Sequence, residues 1–292
     1  MTLYLTFEAI EAKKLKINEK LLVSRKATKM PPAKLHLKAG ETITVKEAIM
    51  ALIVKSANDV AVVLAERLSG NEVKFATQMN NCAYDLGMHN TYFHNSSGWH
   101  NKDQTTTALD LAKLAIALKR DYAKYYSLFA QTRFKFRGRI YHSHNNITSK
   151  YPGAEGLKTG YTVPSGYNLI TAANNKGKNL VAVVTGSPSA LHRDTAMNNL
   201  LNKYFNINHK IETVSNKVKA RFKKKKPINK TQKISKFKPQ INKSSSQKAH
   251  VKKTANAKKT KLGKARIVPN KKVYRPKAVT KKLRKINIKN RK

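Results

Sequence analysis

Along the body of the chain the apolar positions change period once, from about 3.6 residues to about two, and the change divides the predicted elements into two groups. Leu3, Phe7 and Ile10 recur at helical spacing and predict an amphipathic helix over residues 1–14. No N-cap stands in front of it, and a core helix starting at residue 1 leads us to expect a missing preceding segment. Pro31-Pro32-Ala33 interrupts the chain, and Leu35-x-Leu37 running to Gly40 predicts a short strand or extended loop. Thr44-Val45-Lys46-Glu47 has the form of a capping box and opens a helix through Val54. Further helices are predicted from Asn58 to Leu68, stopping at Gly70; from Glu72 to Leu86, stopping at Gly87; and from Ala108 to Leu118.

After Thr132 the period shortens. Arg133-Phe134-Lys135-Phe136 alternates, and Gly156–Thr162, Tyr167–Ala173 and Leu180–Thr185 read as strands. Pro164-Ser165-Gly166 turns between the first two of these three, and Asn174-Asn175-Lys176-Gly177-Lys178 makes a hairpin between the last two. A final helix covers Ala190–Tyr204. The predicted class is α+β: a mostly antiparallel sheet flanked by helices, with a helical block inserted before it.

Composition adds a second region. The 292 residues carry a formal charge of +45, and residues 211–292 hold 31 Lys+Arg against the single acid Glu212. Apolar residues there are too sparse to offset the entropy of ordering, so 209–292 is expected to be a disordered lysine-rich tail behind a folded domain over 1–208. Such a tail suits an anionic surface, either phospholipid headgroups or wall polymers. Specific nucleic-acid recognition is not expected, because Phe222, Phe237 and Tyr274 are too far apart in sequence to form a stacking platform. The one cysteine, Cys82, excludes an intrachain disulfide and reads as a small buried side chain. Thr2–Ile10 lacks a basic n-region and reaches Glu8 early, so no signal peptide is expected at Met1. No run of about 18 uncharged apolar residues predicts a membrane span.

Chemistry concentrates in two short motifs about a hundred residues apart, Ser56-Ala57-Asn58 and Lys158-Thr159-Gly160. Lys158 on a strand offers a fixed cation for a substrate carboxylate, with the Thr159 hydroxyl beside it. Gly160 lets a substrate lie against the strand backbone, and the amide of Tyr161 is placed to donate to an oxyanion. Ser56 and Asn58 sit where a turn enters a helix; there a hydroxyl can relay a proton and a carboxamide can orient a lysine and a substrate amide. Taken alone, Ser56 reads as a helix N-cap and Lys158 as a solvated strand-edge lysine. His142-Ser143-His144 is the only close histidine pair and has no third ligand beside it, so no metal or other cofactor is expected.

The surrounding sequence decides between these readings. Thr44–Ala61, Gly87-Met88-His89-Asn90-Thr91-Tyr92-Phe93-His94-Asn95-Ser96-Ser97-Gly98, Thr107–Ala112, and Glu155-Gly156-Leu157-Lys158-Thr159-Gly160-Tyr161-Thr162 followed by Gly166-Tyr167-Asn168-Leu169 together resemble the D-alanyl-D-alanine carboxypeptidases, the low-molecular-mass penicillin-binding proteins. The likeness runs over about residues 1–206. It implies a β-lactamase/transpeptidase-like fold, an envelope or periplasmic location, and removal of the terminal D-alanine from peptidoglycan stem pentapeptides through an acyl-enzyme that β-lactams trap. It assigns Ser56 to proton relay, Asn58 to the middle motif, and Lys158, Thr159, Gly160 and Tyr161 to the substrate-binding strand. Arg193 matches an arginine that helps bind the substrate carboxylate, although alone it reads equally well as a surface residue at a helix start.

One part of the pattern is missing. The family's nucleophile motif, Ser-x-x-Lys, would fall at or just before Met1, and neither Ser24-Arg25-Lys26-Ala27 nor Ser69-Gly70-Asn71-Glu72 replaces it. The chain as written is therefore expected to be an incomplete enzyme with at most weak substrate binding, and to stay in the cytoplasm if it truly begins at Met1. Alternatives are a non-catalytic remnant binding peptidoglycan or anionic surfaces through its tail, or a β-lactamase or endopeptidase on the same fold.

Overall fold

The computed structural model describes residues 1–207; the tail 209–292 and its expected disorder lie outside the described residues. The helical block opens with α1 (Thr2–Glu11). A small antiparallel pair, β1 (Lys20–Leu22) and β2 (Thr42–Thr44), follows, with the short α2 (Arg25–Thr28) between its strands. Neither strand is legible in the sequence, because three residues are too few to show a period. Thr44 closes the expected capping box: its hydroxyl accepts from the Glu47 amide, and Glu47 accepts from the Thr44 amide at 2.9 Å. That box starts α3 (Val45–Met50), which continues as a π-helical turn over Ala51–Lys55. The expected helix through Val54 is thus present, but its second half is underwound into the wider π turn. Leu35-x-Leu37 is an extended loop, and the strand alternative does not form.

Next come α4 (Asn58–Ser69), α5 (Glu72–Asp85) and α6 (Ala108–Asp121). Gly70, at φ +79°, ends α4, while Asn71 and Thr107 cap α5 and α6 with their side chains. Ala61, Val62, Val63 and Leu64 of α4 are all within 1% of full burial, so this helix is the axis of the core rather than an amphipathic surface helix. Phe7 of α1 is completely buried and stacks on Tyr125 at 4.7 Å. Cys82 is half-buried, and desolvation pushes its thiol up to about 11, which makes it a packing residue.

Beyond α7 (Ala123–Tyr126) and a 3-10 turn (Ser127–Ala130), the chain forms the hairpin β3 (Arg133–Phe136) and β4 (Arg139–His142), then α8 (Asn146–Lys150). The main sheet is antiparallel, in the order β5 (Ala154–Thr162), β6 (Gly166–Asn175), β7 (Lys178–Ser187). Leu169 and Ala173 of β6 pack on Met197 and Leu201 of α9 (Ala190–Phe205), which Ser189 caps. β5 is an edge strand of this sheet among the described residues, and it packs against the 3-10 turn. Gly156 allows that approach: at φ +120°, an added Cβ would lie 2.8 Å from the Phe129 carbonyl oxygen.

One buried carboxylate ties the loop 31–37 to α4. Asp59 is fully buried and accepts from the amides of Leu35 (3.0 Å), Leu37 (3.3 Å) and Val60 (3.0 Å). Asp59→Ala leaves three donors without an acceptor and should lower the unfolding free energy by about 3 kcal/mol. Asp59→Asn, which keeps one acceptor oxygen, should recover part of that loss. Urea unfolding checks both, and an unchanged midpoint for Asp59→Ala would show that the loop is held by something else.

Candidate active site

The π-helical turn determines where Ser56 points. A π turn inserts extra backbone into a helix, and the chain leaves this one through Ser56 in the left-handed conformation, φ 55° and ψ 44°. A non-glycine residue pays for that conformation. Ala57, not Ser56, is the N-cap of α4, and it makes no side-chain cap bond. The N-cap reading of Ser56 is therefore wrong in this structure, and the hydroxyl is released from capping to face the sheet. Asn58 opens α4 with its amide bonded to the Ala33 carbonyl (2.8 Å) and its Nδ2 donating to the Pro31 carbonyl (3.0 Å). Its carboxamide is thus engaged with the loop that Asp59 also holds.

Lys158 approaches from β5, opposite Ile170 of β6. Its Nζ donates to Ser56 Oγ and, at 2.9 Å, to the Thr159 carbonyl. The two sequence motifs, 102 residues apart, therefore meet in space. Lys158 is not a solvated edge lysine. Burial of its ammonium, followed by the charge of Arg193, lowers its pKa to about 8. Neither partner is a carboxylate, so nothing offsets the cost of taking the charge out of water except a hydroxyl and a carbonyl dipole.

The other predicted residues spread along β5 and α9. Thr159 pairs with Leu169, and Gly160 with Asn168. Tyr161 pairs with Tyr167, their ring centroids 4.4 Å apart, and the Tyr161 side chain is exposed. Arg193 is 3% exposed, which removes the surface-residue reading. Its Nε and Nη2 both reach Asp194 Oδ1, at 2.9 and 2.7 Å. The arginine is thus positioned close enough to act on Lys158 while its guanidinium is bonded to its neighbour.

His144 and Lys55 complete the electrostatics and were not legible as site residues. His144 lies in the loop between β4 and α8, and the β3–β4 hairpin packs on the π turn while α8 packs on β5 and α9. Desolvation, then the charges of Lys55, Lys158 and Arg193, hold His144 below the usual histidine range. Lys55 directly precedes Ser56, whereas the neighbourhood of His144 carries no motif, and only the hairpin's docking brings His144 to them. Among the described residues, no three His, Cys, Asp or Glu side chains converge as metal ligands.

A hydroxyl released by a strained turn, a desolvated lysine on an edge strand and a cluster of cations thus lie together. The D-alanyl-D-alanine carboxypeptidase family, Peptidase S11, matches residues 1–189, and the chain belongs to that family. It is 32% identical over 219 residues to the D-alanyl-D-alanine carboxypeptidase DacF of Bacillus subtilis, covering 70% of this chain and 54% of that protein. It is 31% identical over 208 residues to DacD of Escherichia coli, covering 69% and 54%. Among solved structures, penicillin-binding protein 5 of Haemophilus influenzae superposes with a TM-score of 0.67 at 28% identity, covering 70% of this chain and 61% of that one. The ampicillin-bound penicillin-binding protein D2 of Listeria monocytogenes gives 0.63 at 29%, covering 69% and 82%. The chain spans about half the length of the curated relatives it matches.

Because Lys158 depresses His144, Lys158→Met should raise the His144 pKa. A proton NMR titration of the histidine ring protons reads this directly, and no upward movement would mean that the two groups do not share a field.

Proposed function

We propose that residues 1–207 form the substrate-binding part of a serine-type D-alanyl-D-alanine carboxypeptidase centre acting on the ends of peptidoglycan stem peptides in the cell envelope, within the domain we assign to residues 1–208. The carrying observation is the desolvated Lys158 facing Ser56 from an edge strand. Lys158 reaches the Thr159 carbonyl from the side of β5 that β6 leaves open, and backbone groups two residues apart share a side of an extended strand. On that geometry the Tyr161 amide opens toward the same space and serves as an oxyanion donor. An acyl-D-alanyl-D-alanine end lies antiparallel to β5 across Gly160. Its terminal carboxylate is drawn by Arg193, Lys158 and the Thr159 hydroxyl, while Ser56 relays the proton to the leaving amine and Asn58 orients the peptide amide. β-Lactams, which Listeria penicillin-binding protein D2 binds, occupy the same place.

No serine among residues 1–207 is followed three positions later by lysine. On the family's mechanism residues 1–207 therefore supply binding of the peptide end and proton relay rather than the attacking serine. The second role, attachment, rests on the charge of residues 211–292, which hold 31 Lys+Arg. Among the described residues no helix is long and apolar enough to cross a membrane.

NMR titration with a peptide ending in D-Ala-D-Ala should shift the amides of residues 158–161. Lys158→Met should weaken binding about tenfold or more, as expected for loss of a carboxylate's charge partner. Equal binding of the L-Ala-L-Ala peptide, or binding unaffected by Lys158→Met, would contradict the reading. Deleting 211–292 should reduce co-sedimentation with sacculi and anionic vesicles, and undiminished sedimentation would remove the attachment role.

A further inference from the structure

We propose that the outer face of the β3–β4 hairpin is a docking surface for anionic phospholipid headgroups, with Ile140 entering the bilayer interface between Arg133, Lys135 and Arg139. None of these four residues belongs to the candidate site.

The sequence sets the charge. Between Asp121 and Glu155 the chain carries six Lys+Arg and no acid. The hairpin's alternation sets where four of those charges point. Phe134, Phe136 and Tyr141 are buried, with Phe134 stacked on Phe136 and on Tyr141 at 6.0 and 6.3 Å, and they join the main core. Burying that face turns the other one outward. The register then puts Arg133 opposite His142 and Lys135 opposite Ile140, and all four are exposed. Arg139 is exposed as well, its guanidinium 5.2 Å from the Tyr141 ring centroid. Among the described residues, Arg133, Lys135 and Arg139 have no carboxylate partner. Arg137, at the tip, is paired with Glu41 at 2.7 Å and also donates to the Thr42 carbonyl.

A face that serves solubility mixes both signs of charge, and edge lysines that guard a strand need no aliphatic neighbour. This face has one sign, and Ile140 stands 55% exposed in its midst. The Arg137 bond adds a second aliphatic side chain. Thr42 is the strand partner of Leu22, which is 68% exposed, so Leu22 stands beside the hairpin tip. Aliphatic groups among long cations match a bilayer interface: the charged heads reach phosphates, their stems lie along apolar surface, and the aliphatic groups enter below the headgroups. A soluble polyanion would use the cations and leave Ile140 and Leu22 in water, and this favours the lipid surface. The hairpin also leads to the site. Its ladder continues through the Ser143 amide, which donates to the Thr132 carbonyl at 2.8 Å, and the next residue is His144 in the field of Lys158. Docking on this face therefore holds the candidate site beside the headgroups.

The test attaches a polarity-sensitive nitrobenzoxadiazole fluorophore to Ile140→Cys in the full chain, with Cys82→Ala removing the other thiol. Vesicles of phosphatidylglycerol and phosphatidylcholine should shift its emission to the blue, and a lipid carrying a nitroxide just below the headgroup should quench it. Vesicles of phosphatidylcholine alone should do neither. Arg133→Gln, Lys135→Gln and Arg139→Gln together should lower the docked-to-free ratio about 100-fold, at about fivefold per cation, while leaving the circular dichroism spectrum unchanged. The same fluorophore on Val73→Cys, at a position of α5 that is 75% exposed, should stay in water. Attachment through residues 211–292 alone leaves the fluorophore at position 140 in water, so the result separates the two surfaces. No shift at position 140 in folded protein, an equal shift at position 73, or a shift that survives loss of the three cations would overturn the proposal. A blue shift produced by soluble polyphosphate in place of vesicles would overturn it in favour of a polyanion site.

Discussion

The site depends on an ammonium taken out of water without a carboxylate to receive it. Lys158 has a hydroxyl and a backbone carbonyl as partners, and its nearest influential charge is another cation, Arg193. Desolvation disfavours the charged form, and the like charge adds to the effect, so the lysine is poised to give up its proton near neutral pH. An isolated buried charge of this kind is costly, and strongly perturbed groups cluster at functional sites. The same lysine can thus hold an anion when protonated and accept a proton when neutral.

The scaffold holds both partners by rigid means. Lys158 rides on an edge strand backed by β6 and β7, whose inner face is sealed by α8 and α9 through Ile147, Leu169, Met197 and Leu201. Ser56 is held at the mouth of α4, the most deeply buried helix of the core, by a π turn that ends in left-handed backbone. Between them, Asn58 and Asp59 pin the loop 31–37 by five hydrogen bonds from or to its backbone. The Asn58 carboxamide nitrogen is thereby bonded to that loop.

Much of this was legible in the sequence. The capping box at Thr44, the helices ending at Gly70 and Gly87, the hairpin at Asn174–Lys178 and the α+β class all follow from local signals strong enough to survive tertiary context. The two motifs were legible as chemistry because their residue types have little other reason to recur together, and family likeness joined them. Other features were not legible for definite physical reasons. β1 and β2 are too short to show periodicity. The π turn reads as ordinary helix because the hydrogen-bond shift leaves the apolar pattern intact. The burial of Arg193 comes from packing of α9 against the sheet, and His144 joins the site only because the β3–β4 hairpin folds back onto the π turn. Such long-range contacts leave no mark in a single sequence.

The most direct measurement is a nitrogen-15 titration of the lysine side-chain amines, with Lys158 identified by the resonance that Lys158→Arg removes. A midpoint near 8 would confirm a desolvated lysine held against Ser56 in a cationic pocket. A midpoint at the ordinary lysine value of about 10.4 would mean a solvated side chain, and the site would lose both its base and its reason for the Ser56 turn.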